Sequence, residues 1–331
     1  MTPTAQTPFL ARPLVLFVLA SFCGLLWGSA YPAIKQGYAL FHIVSSDVAS
    51  QMVFAGVRFI AAGSLLLAGA WVIGWQVRLE REHFAGVVGL GLSQTALQYV
   101  FFYIGLANAT GSKSSIMNAT GTFFSVLLAH FIYHNDRISG RRALGCLIGF
   151  AGVAAANYGP SLFEPDFTWA GEGSIVLAAF LLSAASIYGK RLSQRLNAVV
   201  MTAWQMGIGG VVLTVLGLLG GGALQGFTPA SVGLMAYMAV LSALAFGIWS
   251  ALLKYNPVGR VSIFNFLVPV FGVALSAIFL GEEVLVAKNA VALCLVCVGI
   301  WLVSAERRKA AQPARQDIPR KDQPAAGQAR A

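Results

Sequence analysis

The feature that most constrains this chain is a series of apolar segments, each long enough to cross a lipid bilayer. A transmembrane helix needs about 20 mostly apolar residues. Ten such segments occur, at about residues 13–35, 52–76, 84–107, 114–133, 140–157, 172–190, 198–220, 229–253, 261–280 and 287–304. Of the 331 residues, 57% are hydrophobic and only 10% are charged, so a water-soluble fold could not cover its apolar surface. The sequence therefore predicts an all-α integral membrane protein with ten transmembrane helices, and it excludes a soluble enzyme.

The basic residues lie mostly on one side of the predicted membrane. If the N-terminus is cytoplasmic, eighteen of the 22 Lys and Arg residues fall on the cytoplasmic side: Arg12, Arg78, Arg81, Arg137, Arg141, Arg142, Lys190, Arg191, Arg195, Lys254, Arg260 and the seven of the C-terminal tail. Lys113 and Lys288 fall on the other side. Since cytoplasmic loops carry an excess of basic residues, this asymmetry predicts a multi-pass protein of the cell (inner) membrane with both termini in the cytoplasm. The net charge of +10 then needs no nucleic-acid partner.

The two ends of the chain and its cysteines suggest little chemistry. We expect residues 1–12 to be a short cytoplasmic segment and residues 305–331 to be a disordered basic tail, because the tail is rich in Ala, Pro, Gln and charge. The four cysteines, Cys23, Cys146, Cys294 and Cys297, all fall within apolar segments, where a free thiol usually packs. Nucleotide, dinucleotide and zinc motifs are absent from the sequence, so we identify no cofactor, no metal site and no catalytic residue.

An internal repeat relates the two halves of the chain. At an offset of 147 residues, Ser115–Asn118 aligns with Ser262–Asn265 as Ser-Ile-x-Asn, and Arg58 aligns with Gln205. Each copy contains five spans. Because five is an odd number, the second copy begins on the opposite side of the membrane and is therefore inverted relative to the first. Inverted repeats of this kind enclose a central cavity that can open to either side. We therefore expect two five-helix units, residues 13–157 and residues 171–304.

Three motifs resemble the EamA branch of the drug/metabolite transporter superfamily. The segment Trp27–Lys35 (Trp-Gly-Ser-Ala-Tyr-Pro-Ala-Ile-Lys) is similar to the family's opening-helix motif, and Arg58 fits its arginine in the second helix. Leu267–Phe271, followed by Leu280–Glu282, resembles the family's penultimate helix with its proline and Gly-Glu exit. The resemblance implies a basket of ten helices that transports small metabolites, often amino acids and frequently outward.

The first half departs from the family pattern at two places. Thr122 stands where the family usually has the proline, and His134-Asn135 stands where it has Gly-Glu. A role that the family assigns to that first-half glutamate therefore does not transfer to this chain.

Two matching polar faces are the main candidates for a substrate cavity. Ser115, Asn118 and Thr122 recur at helical spacing on helix 4, and Ser262 and Asn265 lie on the matching face of helix 9. Polar groups at membrane depth need partners or water, so these faces either line one cavity or bind neighbouring helices through hydrogen bonds. We expect the two asparagines to line the cavity as a symmetry-related pair, whereas helix packing explains the serines at least as well.

Helices 3 and 8 supply further cavity candidates. Gln94 and Gln98 are four residues apart, which places them on one face of a helix, where they could bind a polar substrate or brace a neighbouring helix. Trp249 on helix 8 is either a cavity wall or a lipid-facing side chain.

Two cations lie in or near the membrane. Lys35 closes helix 1 on the outer side, and a fixed cation there suits a substrate carboxylate. Arg58 lies about seven residues into helix 2, or roughly 10 Å. Snorkelling to the interface or pairing with a loop is the alternative for both residues, and we favour it for both, more strongly for Arg58.

The sequence suggests hinges but no coupling device. Pro32 and Pro269 each remove a backbone hydrogen bond within an apolar helix, so they either serve as hinges or form static kinks. No carboxylate lies in the middle of a predicted span, and His130 is the only histidine well inside one. A proton-coupled carrier often uses such a group, so a facilitator or exchanger stays open.

Three classes of function fit the sequence, in a clear order. We predict a secondary transporter, most readily an exporter of small polar metabolites such as amino acids, that works by alternating access. A non-transporting membrane receptor or scaffold is the second class, and a membrane-embedded enzyme is the third. The expected partners are a small-molecule substrate and the lipid bilayer, with homodimer formation left open.

Overall fold

The computed structural model describes residues 9–132, 139–156, 167–193, 195–256, 261, 263–282 and 287–310. Within these ranges the protein is helical and contains no β-strand. Helices of the first half are α1 (Pro13–Leu40), α2 (Val48–Val72), α3 (Arg81–Asn108), α4 (Gly111–Ile132) and α5 (Gly140–Ala156). Helices of the second half are α6 (Trp169–Ser193), α7 (Ala198–Leu219), α8 (Pro229–Tyr255), α9 (Leu267–Leu280) and α10 (Ala287–Ala310).

The length of the helices supports a multi-pass membrane protein. In the described part of the chain, seven helices are long and apolar enough to cross a membrane, namely α1 to α4 and α6 to α8. Of the other three, α5 has 17 residues and α9 has 14, whereas α10 has 24, of which the apolar part is Asn289–Leu302. The apolar segment predicted at 261–280 is divided, because a 3₁₀ turn at Ile263–Phe266 precedes α9.

Local sequence explains where several helices begin and end. Thr110 caps α4 by accepting a hydrogen bond from the backbone N–H of Lys113, and Thr228 forms a capping box with Ser231 at the start of α8. Gly74 and Gly221, which are 147 residues apart, follow α2 and α7 with φ near +80°. A glycine is favoured there because an L side chain rarely adopts this backbone conformation.

Three long helices contain irregular turns. In α3, the π-turn Gly91–Leu97 separates the α-helical segments Arg81–Leu90 and Gln98–Asn108. In α4, the segments Gly111–Asn118 and Thr120–Ile132 meet at Ala119, whose backbone N–H donates to the carbonyl of Ile116. A second π-turn, Trp169–Gly173, opens α6. Such turns often mark functional sites in helices.

The helices pack in a regular arrangement around the interior. The most extensive contacts join α2 with α7, and α5 with α10. Helix α1 packs against α8 and α9, while α6 packs against α3 and α4. Helix α2 also contacts α8, α3 contacts α7, and α4 contacts α9. Glycines allow these close approaches: a Cβ added at Gly56 of α2 would lie 2.6 Å from the carbonyl oxygen of Gly210 in α7.

Several predicted boundaries differ from the structure by a few residues, and two of the differences change the place of a residue or segment discussed above. Helix α1 continues to Leu40, five residues beyond Lys35, because apolar and aromatic side chains after Lys35 are buried against the bundle. Lys35 therefore lies inside helix 1 instead of closing it. Helix α10 continues to Ala310, six residues into the segment predicted as a disordered tail. The remainder of that tail and residues 1–8 lie outside the described residues.

Candidate functional site

A buried arginine lies at the centre of the polar interior. Arg58 is ten residues into α2, about 15 Å from its start, and only 2% of its surface is exposed. Its Nε donates a hydrogen bond to Ser242 Oγ of α8, and its Nη1 donates to Tyr103 Oη of α3, both at 2.9 Å. Snorkelling, which we favoured from the sequence, is therefore wrong for Arg58: its charge faces the interior because hydroxyl groups from two other helices bind it there.

Aromatic rings surround this arginine. The Phe59 ring centroid lies 5.0 Å from Arg58 Cζ, a cation–π distance. Tyr99 contacts Phe59 at 4.3 Å between centroids and Tyr103 at 6.0 Å. The cluster continues from Tyr103 to the rings of Tyr38, Phe54 and Phe102, and from Phe102 to Tyr31 of α1. The interior next to the charge is thus lined by flat, mostly apolar faces.

Several buried polar side-chain atoms have no hydrogen-bond partner in the protein. Among the described residues, Gln98 Oε1 and Asn118 Oδ1 are buried without a hydrogen bond, and so are Ser114 Oγ and Ser276 Oγ. Buried polar groups are nearly always satisfied by protein or water. These orphaned atoms therefore indicate a place where water or a solute completes the hydrogen bonding.

The two asparagines predicted as a pair lie at irregular points of their helices. Asn118 is the last residue before the break in α4, and its side chain lies beside the hydroxyl of Tyr31. Asn265 is half-buried in the 3₁₀ turn that precedes α9. Their predicted role as a cavity-lining pair stays a prediction.

The serines and Thr122 have plainer surroundings. Ser115 Oγ donates to the carbonyl of Ser112, and a Cβ added at Gly272 of α9 would lie 2.5 Å from Ser115 Cβ. Ser115 thus packs tightly against α9, which favours helix packing over cavity lining. Thr122 is half-buried in α4, and Ser262 lies outside the described residues.

The two glutamines differ in their surroundings. Gln98 is buried, whereas Gln94 is half-buried and its Oε1 would lie 3.7 Å from a Cβ added at Gly189 of α6. Gln94 falls within the π-turn, whose hydrogen bonds span five residues, so the four-residue rule for a shared face does not hold there. The sequence could not reveal this because a π-turn has no reliable sequence pattern.

Trp249 packs inside the bundle on one side. It is half-buried, and its ring stands edge-to-face against Trp27 of α1 at 5.0 Å between centroids. Trp27 makes a similar contact with Phe246 at 5.5 Å. Trp249 therefore joins α8 to α1.

Charged groups at the end of the bundle where α4 begins form a network, which we call the Glu282 network. Glu282, after α9, accepts hydrogen bonds from the backbone N–H groups of Gly111 and Ser112 at 2.7 and 2.9 Å, and from Ser112 Oγ at 2.7 Å. Lys113 Nζ lies 2.7 Å from Glu172 Oε1 of α6, and both side chains are largely buried. Lys35 is half-buried in α1 and interacts electrostatically with Glu282. The network joins the two halves of the chain.

The two predicted hinge prolines have different environments. Pro32 is buried in the middle of α1, where its missing N–H frees the carbonyl of Gly28. Gly28 lies where α1 touches α9, since its added Cβ would be 2.9 Å from the backbone nitrogen of Gly272. Pro269 is the third residue of α9, after the 3₁₀ turn, so its missing N–H falls in the first turn, where it costs little.

Two other features lie away from this interior. An open apolar depression of about 410 Å³ lies along α6 and α3 and is lined by Phe101, Trp169, Gly173, Ser174, Val176, Leu177 and Phe180. None of the predicted cavity residues lines it. At the start of α3, Glu80, Glu82 and His83 bring potential ligand atoms within 4.8 Å of one another, but the two glutamates are exposed.

The most informative residues of this site were only partly identified from the sequence. Arg58 was noted as an intramembrane cation, yet its partners Tyr103 and Ser242 carry no pattern that marks them. The available signal was a single arginine inside a long apolar helix, which is a functional hypothesis in itself.

Comparison with known proteins agrees with this architecture. The model of the EamA-like transporter family matches the chain twice, over residues 13–158 and 169–305. The "Uncharacterized transporter YvbV" of Bacillus subtilis is 25% identical over 304 residues, which cover 88% of this chain and 92% of that protein. The "Probable amino-acid metabolite efflux pump" of Salmonella typhimurium is 26% identical over 298 residues, which cover 86% and 93%.

A solved crystal structure has the same fold. It superposes with a TM-score of 0.65 at 16% sequence identity, over 91% of this chain and 100% of that chain. The family matches account for both halves of the chain, and the relatives align along nearly their whole length. This protein is thus a membrane transporter, and the chain belongs to the EamA-like transporter family.

Proposed function

We propose that the protein is a secondary transporter that moves small polar metabolites by alternating access between two inverted five-helix units, residues 13–157 and 171–304. All ten helices would cross the membrane, with both termini in the cytoplasm. Two separate matches of one family model, at 13–158 and 169–305, support two units of similar sequence. A membrane enzyme or a non-transporting receptor fits less well, because the family and its named relatives are transporters.

One pair of hydrogen bonds carries the proposal of inverted repeats. The offset of 147 residues relates Arg58 to Gln205 and Thr95 to Ser242. Arg58 bonds to Ser242 between α2 and α8, and Thr95 Oγ1 donates to Gln205 Oε1 at 3.3 Å between α3 and α7. Each bond is therefore the image of the other when the halves are exchanged, which is the behaviour of a two-fold axis.

Close contacts at glycines follow the same exchange. A Cβ at Gly152 would lie 2.8 Å from the carbonyl oxygen of Ala292, and a Cβ at Gly299 would lie 2.6 Å from that of Gly145. The offset relates Gly152 to Gly299 and Gly145 to Ala292. These contacts between α5 and α10 support the same axis at the other side of the bundle.

The helix breaks suit a binding region near the middle of the membrane. Asn118 and Asn265 are related by the offset, and each lies at an interruption of its helix. Secondary transporters often place substrate sites at such discontinuous helices, where backbone groups become available. Gly111 faces Ser276 and Ser115 faces Gly272.

The Glu282 network would close one end of this region. It ties α4 to α6 through Lys113 and Glu172, and α4 to α9 through Glu282. From the charge asymmetry of the loops, we expect this end to lie on the non-cytoplasmic side. In alternating access the network would open when the opposite end closes.

Small polar metabolites, including amino acids, are the proposed substrates, and export is the proposed direction. The support is the name of the Salmonella typhimurium relative, a probable amino-acid metabolite efflux pump. A counterflow assay tests this proposal: proteoliposomes preloaded with unlabelled solute should accumulate labelled amino acids, amines or nucleosides faster than protein-free liposomes. If no solute moves and the protein instead binds a partner protein through its loops, the alternative function of a non-transporting receptor would be favoured.

Cysteine labelling tests the topology. Single cysteines at Glu164 and Gln316 are introduced into a variant that lacks Cys23, Cys146, Cys294 and Cys297. We expect the cysteine at 164 to react with a membrane-impermeant maleimide in intact cells, and the one at 316 only after permeabilisation. Labelling of both from the same side would exclude a ten-span arrangement with both termini inside.

A further inference from the structure

We propose that Arg58 and Tyr103 together bind the carboxylate group of the transported solute, and that the solute carries an apolar portion that rests against the neighbouring aromatic rings. This inference rests on the proposed transport function and names the chemical class of its substrate. The class comprises small carboxylic acids, including amino acids with apolar side chains.

The first step is the state of the charge on Arg58. A guanidinium group has five N–H donors and stays protonated in proteins. The two hydrogen bonds of Arg58 go to neutral hydroxyl groups, and no carboxylate among the described residues contacts it. A buried charge normally has an opposite charge beside it. The remaining N–H groups of Arg58 can therefore bind an anion that the protein itself does not supply.

The second step is the proton of the Tyr103 hydroxyl. Tyr103 Oη accepts the hydrogen bond from Arg58, and in the described part of the chain its own O–H donates to no atom. Ser242 differs, since its Oγ accepts from Arg58 and donates to the carbonyl of Met238 at 2.9 Å. Tyr103 thus presents a free donor next to the cation. A carboxylate accepts such charge-assisted hydrogen bonds on both of its oxygens.

The third step is the contrast with the other half of the chain. Gln205 occupies the position equivalent to Arg58, is 3% exposed, and accepts a hydrogen bond from Thr95. A neutral side chain can therefore fill the equivalent buried position between the equivalent helices of the other half. The fold does not require a charge there, so the charge on Arg58 points to a ligand instead of to helix packing.

The fourth step is the shape of the surroundings. Tyr99, Phe59 and Phe102 present ring faces and edges close to the Arg58 and Tyr103 pair. Aromatic rings favour an apolar group, and their faces also attract an ammonium group. The combination fits a carboxylate at one end and an apolar side chain at the other.

The test compares acids with their matched amides. Purified protein in proteoliposomes is assayed by counterflow with labelled leucine, phenylalanine and threonine, and with the corresponding carboxamides. The carboxamides keep the size and the amino group but remove the negative charge. The variants are Arg58→Gln, which copies the residue of the other half, Arg58→Lys and Tyr103→Phe, with Gln205→Met as the matched control.

We expect Arg58→Gln to lower transport of the acids by about tenfold and to change transport of the amides by less than about twofold. Arg58→Lys should fall between wild type and Arg58→Gln, since lysine keeps the charge without the planar set of donors. Tyr103→Phe should lower the ratio of acid to amide transport severalfold. Gln205→Met should leave this ratio unchanged.

Binding measurements keep the test independent of transport rates. The midpoint temperature of thermal unfolding in detergent should rise when leucine is added to wild type, but not when it is added to Arg58→Gln. Both proteins should elute from size-exclusion chromatography as one folded species. Equal loss of acid and amide transport in folded Arg58→Gln would overturn the inference, because the arginine would then be a helix brace. Movement of amides alone by wild type would also overturn it while leaving the transport function intact, whereas movement of none of the amino acids, amines and nucleosides of the counterflow screen would count against the proposed function.

Discussion

The charged groups at the Glu282 end of the bundle and the charged group in its interior have different kinds of partner. At the end, Lys113 lies against Glu172, and Glu282 accepts hydrogen bonds from the start of α4. In the interior, Arg58 has only neutral partners among the described residues. Removing charges from water is costly unless they are paired. The charges at this end therefore have partners within the protein, whereas Arg58 in the interior can bind an anionic group of an incoming solute.

The largest expected effect comes from breaking the pair at the end. Glu172→Gln keeps an acceptor for Thr168 but removes the negative charge, so the buried ion pair between Glu172 and Lys113 is lost. Loss of one partner of a buried pair destabilises a protein by about 3 kcal/mol. We expect a clearly lower midpoint of thermal unfolding in detergent.

The double variant Lys113→Gln with Glu172→Gln is its matched control. Removal of both charges should restore most of the lost stability, since the cost of burying the Lys113 charge is then removed as well. An unchanged unfolding midpoint in Glu172→Gln would contradict this prediction. It would mean that the ion pair at the Glu282 end does not stabilise the protein.

A second prediction concerns the interior. Asn118→Leu and Asn265→Leu should each lower transport by about tenfold, or about 1.4 kcal/mol in binding terms, while the amount of folded protein stays the same. The measurement is counterflow per unit of purified protein. Ser115→Ala is a suitable comparison, because Ser115 bonds within its own helix and packs against Gly272. Equal loss of folded protein in both asparagine variants would identify them as helix contacts.

The smallest effect is expected at Lys35, which stands between the two regions. If Lys35 attracts a substrate carboxylate at the outer mouth, Lys35→Gln should slow transport of acids by a few-fold and spare neutral or cationic solutes. The effect should shrink at high salt, since the Debye length is about 10 Å at 0.1 M.

Lys35 also interacts with Glu282, which gives the prediction a clear alternative. Equal transport by wild type and Lys35→Gln at every salt concentration would assign this lysine to the Glu282 network. A lowered unfolding midpoint without a change in solute preference would support the same assignment.

The outline of the fold could be read from the sequence. The described helices overlap each of the ten apolar segments, because hydrophobic length and turn residues are local properties. Features that depend on hydrogen bonding within a helix could not be read. The π-turn of α3 and the 3₁₀ turn before α9 changed the surroundings of Gln94 and Pro269, and neither turn has a local pattern strong enough to predict it.

By itself, the sequence determined the helical membrane class and the family resemblance, since composition and residue spacing encode these directly, and it predicted an internal repeat at an offset of 147 residues. Only the tertiary structure decided which polar groups meet. Arg58 faces inward because α3 and α8 bring Tyr103 and Ser242 to it, and these residues are 45 and 184 positions away along the chain. Contacts at such separations depend on how helices pack, and packing places a hydroxyl beside a charge without leaving a pattern in either segment.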